Sequence, residues 1–184
     1  METYNEAKTL ILRTTINLIF EKGISALSIR HIADAANISK SNIYYYFDSK
    51  DDILNTFIED KTAEYNELKK ELENTVANRD RIYKIIEFLL EGQQHNNCGC
   101  ELYVLLLMLQ DRIVTGEATR NKINELLDDI SEDLSTAFES ECDQRNIDRY
   151  ESVFDMVVGK IIMANVNGYY VRLNKLFDDV LQLI

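Results

Sequence analysis

Lys40, Ser41, Asn42, Tyr44 and Tyr45 crowd into the run SKSNIYYYF, residues 39–47. At 100° per residue, Ser39, Ile43 and Phe47 share one side of a helix, while Lys40, Ser41, Tyr44 and Tyr45 take roughly the opposite side. That outer side is cationic, hydroxylated and aromatic. A helix face that only meets water ordinarily carries Glu and Lys pairs, whereas Ser and Tyr beside a Lys suit phosphate oxygens and the edges of bases. Lys50 follows at the start of the next helical run, within reach of a duplex backbone, and Arg30 stands at the front of the run before.

Two serines mark the elements that must hold these groups. Ser28 and Ser39 each precede a short apolar-periodic run, the place where a helix N-cap is wanted. In the first run Ile29, Ile32, Ala33 and Ala36 recur at spacings of three and four, which puts them on one face. Between the runs stands Asn37, the best substitute for glycine where the backbone must enter the left-handed region. A helix-turn-helix is the natural construction. Residues 5–22 form a bracing helix behind it, burying Ala7, Leu10, Ile11, Ile16, Ile19 and Phe20, with Gly23 just past its end and Lys22 in its last turn.

The stretch resembles the DNA-binding domain of TetR-family transcriptional regulators at Gly23-Ile24, Ser28-Ile29-Arg30, Ile32-Ala33, Ala36-Asn37-Ile38-Ser39, Ile43-Tyr44-Tyr45-Tyr46-Phe47 and Ser49-Lys50. Two departures from the family pattern are visible: Asn37 replaces the usual Gly of the turn, and Thr14-Thr15 replaces a small Ala pair late in the first helix. The resemblance covers roughly the first 55 residues, and the rest only as an all-helical body. It implies a homodimer that sets one helix of each head in the major groove of a near-palindromic double-stranded operator, with half-sites about 34 to 36 Å apart. Arg30, Lys40, Ser41, Asn42 and Tyr45 are the candidates for base contact, and Ser28, Tyr44 and Lys50 for phosphates. It further implies a small-molecule effector whose binding releases a repressor from DNA. The helix after Lys50, opened by Asp51 and Asp52, would carry that signal.

Composition agrees with a helical chain. The 184 residues include no Pro and only six Gly, which favours long helices over a sheet with many tight turns. Apolar runs such as Leu102 to Leu109 are too short to span a bilayer and the N-terminus is polar, so a cytoplasmic protein without a membrane partner is expected. The net charge of −12 is uneven. Residues 1–50 carry six Lys and Arg against five acids, and residues 51–184 carry 14 against 27. The acidic part repels DNA and would turn the helix-turn-helix end toward it.

The expected fold class is all-α, about nine helices, with a three-helix DNA-binding domain over 1–50 and a helical effector-binding and dimerisation domain over 51–184. Within the second domain, Cys98 to Thr115 is apolar on every side and reads as a central buried helix. A long helix from Asp148 to about Asn174 carries more than one apolar stripe, so a second partner is required. Phe154, Val157, Ile161, Ala164 and Gly168 are assigned to a homodimer interface, with Lys175 to Ile184 completing a four-helix bundle across the two-fold axis. Tyr65, Tyr83, Phe88, Tyr103, Met108, Phe138 and Met163 are the candidate lining of an effector pocket, although aromatic residues at helical spacing more often pack a core.

Other chemistries are thinly represented. There is no phosphate-cradling glycine loop, no His-Glu-x-x-His and no nucleophile elbow, so neither an enzyme nor a cofactor is expected. His31 lies in the helix-turn-helix as a solvent-facing or phosphate-near side chain. His95, Cys98 and Cys100, with Cys142 more distant, have metal-ligand character, but a Cys-x-Cys spacing is poor for structural zinc. Packing at a helix start competes with a thiol- or metal-responsive role, and no metal site is assigned. A helical interaction module that has lost DNA binding is the remaining alternative, against which Lys40, Tyr44, Tyr45 and Lys50 speak.

Overall fold

The computed structural model describes residues 4–91, 101–111, 115–139, 151–168 and 171–182, and the described residues are all helical or in turns. Among the described residues nine α-helices follow one another: α1 Tyr4–Lys22, α2 Ile29–Ala36, α3 Lys40–Tyr46, α4 Lys50–Glu73, α5 Asn78–Leu89, α6 Glu101–Gln110, α7 Glu117–Glu139, α8 Glu151–Asn167 and α9 Leu173–Leu181. A single 3-10 turn, Ile24–Ala26, joins α1 to α2. By contact the chain forms two compact units, Met1–Lys61 with Val104–Ile123, and Thr62–Tyr103 with Asn124–Ile184.

The first unit is built on α1. Ile11 and Ile19 are fully buried, with Ala7, Ile16 and Leu18 beside them. Thr15, one of the two departures from the family pattern, is buried without cost because its hydroxyl donates to the Ile11 carbonyl at 2.8 Å. Gly23 ends α1 with φ +76, a backbone angle glycine adopts freely, and its N–H reaches the Ile19 carbonyl at 2.8 Å. Helices α2 and α3 pack against each other, and α2 against α1.

Residues 104–123 belong to this same unit through polar ties as well as packing. Ser25 donates to a carboxylate oxygen of Asp111, the Thr119 hydroxyl donates to Asn55 at 2.9 Å, and Lys122 pairs with Glu59 at 2.7 Å. At the head of α4, Ser49 Oγ accepts the Asp52 N–H at 3.1 Å and the Asp52 carboxylate accepts the Asp48 N–H at 2.9 Å. The two bonds satisfy one left-over donor of the helix start, the Asp52 N–H, and tie in the residue that precedes the cap.

The second unit packs α5 and α8 against α9. Its core includes Tyr65, Ile82, Ile85, Ile86, Leu89, Ile130, Leu134, Phe138, Val157, Ile161 and Val180. Tyr83 meets Phe177 edge to face with ring centroids 5.1 Å apart, and Tyr65 tilts against Phe88 at 5.2 Å. The Tyr65 hydroxyl donates to Asp133 at 2.7 Å, and Lys69 stands 3.6 Å from Asp133 and 3.5 Å from Asp129. Burial first, then the Asp133 hydrogen bond, pushes the Tyr65 phenol far above its ordinary range.

Three expectations about this part of the chain change. The helix expected to run from Asp148 to Asn174 ends at Asn167, because Gly168 takes φ +71 and breaks the ladder; α9 is a separate helix. Helix α6 is not buried all round: Leu102, Val104, Leu105 and Met108 are buried, while Tyr103, Leu106, Leu107 and Leu109 are half-buried. Val157, Ile161 and Ala164 are each 0 % exposed within the single chain, so the stripe assigned to a dimer partner is occupied by the chain's own core. Phe154 is half-buried and Gly168 sits beyond the helix end. The large apolar side chains α8 does expose are Met163 and Val166.

Candidate nucleic-acid interface

The reading face is assembled by caps, one turn and two anchors. Ser28 Oγ accepts the His31 N–H at 3.2 Å, and Ser39 Oγ accepts the Asn42 N–H at 3.1 Å. Both serines act as the N-caps their positions predict. Between the helices Asn37 adopts φ 54, ψ 42, and the Ile38 N–H returns to the Ala33 carbonyl at 3.0 Å. Asn37 thus fills the left-handed position that the family gives to Gly, at a small steric cost that its short polar side chain tolerates.

Helix α3 is held down on one side. Ile43 is 0 % exposed and Phe47, just past the helix, is 2 % exposed. The Lys8 ammonium lies 5.8 Å from the centre of the Phe47 ring. Around the rest of the helix Lys40, Ser41, Asn42, Tyr44 and Tyr45 are exposed, Tyr45 at 72 %. The wheel drawn from sequence therefore holds for Ile43, Phe47 and the outer set, while Ser39, placed with the inner side, is exposed because it stands outside the helix as its cap. Tyr46 is half-buried and meets Tyr45 edge to face at 5.0 Å, which fixes the Tyr45 ring against a neighbour instead of leaving it to sweep. Ser39 and Ser41 hydroxyls lie 2.9 Å apart, so the cap also orients a candidate base contact.

The flanking candidates are placed as follows. Arg30 is exposed on α2 and its Nε stands 3.7 Å from Asp34, one helical turn on. Both partners are more than 70 % exposed, so the pair is weak and readily exchanged for another anion. The spacing of four between them was the visible signal for this partner, which the assignment of Arg30 to a base edge left out. Ser28 and Lys50 are half-buried at the starts of α2 and α4. The arrangement brings a cationic, hydroxyl-bearing and aromatic helix face together with flanking Ser, Arg and Lys groups, which can hydrogen-bond base edges and hold phosphates.

The other candidates separate. Tyr65 and Phe138 are fully buried core, Phe88 packs on Tyr65, Tyr83 on Phe177, Tyr103 is half-buried and Met163 is 55 % exposed; Met108 is buried in the first unit. A cleft of about 180 Å³ in the second unit is lined instead by Lys69, Leu72, Glu73, Arg81, Ile85, Asp133, Thr136 and Ala137. Sequence reasoning missed it because half its lining is charged and the apolar part, Leu72, Ile85 and Ala137, reads as ordinary core. His95, Cys98, Cys100 and Cys142 lie outside the described residues. Among the described residues, Glu64, Glu91 and Glu101 bring carboxylate oxygens within 4.8 Å of one another.

Two short capped helices about a left-handed turn, with an exposed basic and aromatic second helix, define a DNA-binding protein of the helix-turn-helix class. Residues 11–56 match the model of the bacterial regulatory proteins of the tetR family. An uncharacterized HTH-type transcriptional regulator in the lacX 3′ region of Lactococcus lactis subsp. lactis is 26% identical over 191 residues, covering 97% of this chain and 94% of that protein. The HTH-type transcriptional repressor KstR2 of Rhodococcus jostii is 38% identical over 65 residues, 33% of this chain and 32% of that protein. In fold, a putative transcriptional regulator from Saccharomonospora viridis, solved in complex with choline, superposes with a TM-score of 0.74 at 20% identity, over 98% of this chain and 96% of that one. The match to the tetR family model lies in the head of the chain, and the full-length likenesses extend the same helical fold over the rest. No described helix is long and apolar enough to cross a membrane.

Proposed function

We propose that this protein is a homodimeric repressor that holds a near-palindromic operator and leaves it when a small molecule binds the helical body. The observation that carries the DNA half is the exposed face of α3, Lys40, Ser41, Tyr44 and Tyr45, seated from behind by Ile43 and Phe47. Arg30, Lys40, Ser41, Asn42 and Tyr45 read bases, and Ser28, Tyr44 and Lys50 hold phosphates. A regulator of this kind is not an enzyme, and it works in the cytoplasm, where the DNA is.

Repression is favoured by the likeness of the head to KstR2, and a small-molecule effector by the choline-bound relative in fold. The cleft in the second unit is the effector site this reading prefers over the aromatic set. It has an apolar floor of Leu72, Ile85 and Ala137, and Lys69, Arg81, Glu73 and Asp133 at its walls. The effector acts only through its different affinity for the DNA-bound and released states.

The second copy is assigned to the outer side of α8. Val166 and Met163 are 63 % and 55 % exposed, and Met156, Gly159 and Ile162 flank them half-buried. Such an unpartnered apolar face on a helix whose other side already fills the core fits a symmetry mate.

The test is gel retardation of promoter fragments from the gene's own genomic neighbourhood, at low salt and without effector. A discrete retarded complex that Lys40→Ala alters in sequence preference supports the reading. Failure to retard any such fragment counts against it.

A further inference from the structure

His31 is exposed on α2, and the main reading gives it no task. Its ring is not loose: Nδ1 lies 2.7 Å from the backbone carbonyl of Ala26. A carbonyl oxygen can only accept, so Nδ1 carries the ring proton and donates it. The neutral ring then presents at Nε2 a lone pair and no hydrogen. That atom repels a phosphate oxygen until it takes up a proton, after which it becomes a charged donor.

The placement supplies the phosphate. At 100° per residue His31 sits on the exposed arc of α2 between Arg30 and Asp34 on one side and Ser28 on the other. With Arg30 reaching a base edge and Ser28 a phosphate, the side chain between them lies over the backbone, which the first helix of such a motif crosses.

We infer that His31 is a proton-dependent phosphate contact, so that binding of duplex DNA takes up a proton at the His31 Nε2 of each head. The inference rests on the DNA-binding reading above. Asp34, the carboxylate one turn along on α2, pairs with Arg30 in the free protein and adds its own negative charge near His31 when Arg30 turns to DNA. Of the elements packed against α2, α1 carries Tyr4, Glu6, Lys8, Arg13, Glu21 and Lys22, and α3 carries Lys40, Tyr44, Tyr45 and Tyr46; the turn that supplies Ala26 bears no titratable side chain. The incoming phosphate adds negative charge at the Nε2 side of the ring, which favours the imidazolium.

The experiment measures binding of a mixed-sequence duplex at about pH 6 and about pH 8, across a salt series, for the full-length protein and for His31→Ala and His31→Lys. The wild type should bind several-fold tighter at the lower pH, with a salt slope steeper by about 0.9 per head. His31→Ala should show the shallower slope at both pH values, and His31→Lys, charged throughout, the steeper slope at both. A wild type and His31→Ala with the same pH response would overturn the assignment while leaving DNA binding intact. Absence of binding by all three proteins at low salt would overturn the DNA-binding reading and this inference with it.

Discussion

Ser39 is the most informative single position, because its hydroxyl does two things that substitutions can separate. Its oxygen accepts the Asn42 N–H at 3.1 Å and lies 2.9 Å from the Ser41 hydroxyl. The helix it caps has seven residues, and Ile43 is its one buried residue. A helix shorter than about 12 to 15 residues does not hold by itself in water, so α3 depends on its cap and its anchor. Removing the cap with Ser39→Ala should cost about 1 kcal/mol. Where that loss falls on the order of α3, DNA affinity drops about fivefold per head. Ser39→Asn keeps a capping oxygen without charge and should restore affinity. Ser39→Asp also keeps the cap, and its charge suits the helix N-terminus, but it sets a carboxylate beside the DNA phosphates. That variant should melt like the wild type and bind DNA poorly, with a deficit that shrinks as salt rises. Fluorescence anisotropy on a labelled duplex, paired with urea denaturation, measures both quantities. The reasoning fails if Ser39→Asn binds as badly as Ser39→Ala while both denature with wild-type stability, since the serine would then be touching DNA and not capping.

Lys50→Ala should weaken binding alike on all sequences and shallow the salt slope by about one unit; an unchanged slope removes the phosphate role. Val166→Glu, which places a charge at the C-terminal end of the exposed apolar face of α8, should leave the fold intact and shift sedimentation toward a monomer, and an undisturbed dimer would send the interface elsewhere. Tyr65→Phe deletes the hydroxyl that donates to Asp133 and should cost about 1 kcal/mol near neutrality, read from urea unfolding. The phenol is held neutral in the folded chain, so its raised pKa adds stability that is complete below the free phenol value of about 10 and is lost as pH climbs beyond it. The wild type should therefore lose stability above that pH more steeply than Tyr65→Phe, and parallel curves would refute the linkage.

The reading head was legible because its signals are local. Ser28 and Ser39 act as caps, Asn37 takes the left-handed turn and Ile43 faces inward, each by a rule that needs only a few neighbouring residues. Helix α8 was not legible in the same way. Its pattern shows apolar residues on two faces, and nothing in a pattern says which face the chain itself will cover. The smallest residues, Ala164 and Gly168, suggested a close approach by a second helix; in the structure Ala164 is buried in the core and Gly168 ends the helix with a positive φ. The cleft between α4, α5 and α7 is lined by charged and apolar side chains that are far apart along the sequence and converge only once three helices are packed.

The inclusion of residues 104–123 in the first unit bears on how such heads can be exchanged. A cut after Lys50 follows the sequence motif but parts Ser25 from Asp111, and a cut after Lys61 also parts Asn55 from Thr119 and Glu59 from Lys122. The head is thus not a cassette encoded by one continuous stretch. A chimera that grafts residues 1–61 onto another body inherits the reading face without the surface it is fastened to, whereas one that also carries the α6–α7 corner transplants the whole fastening.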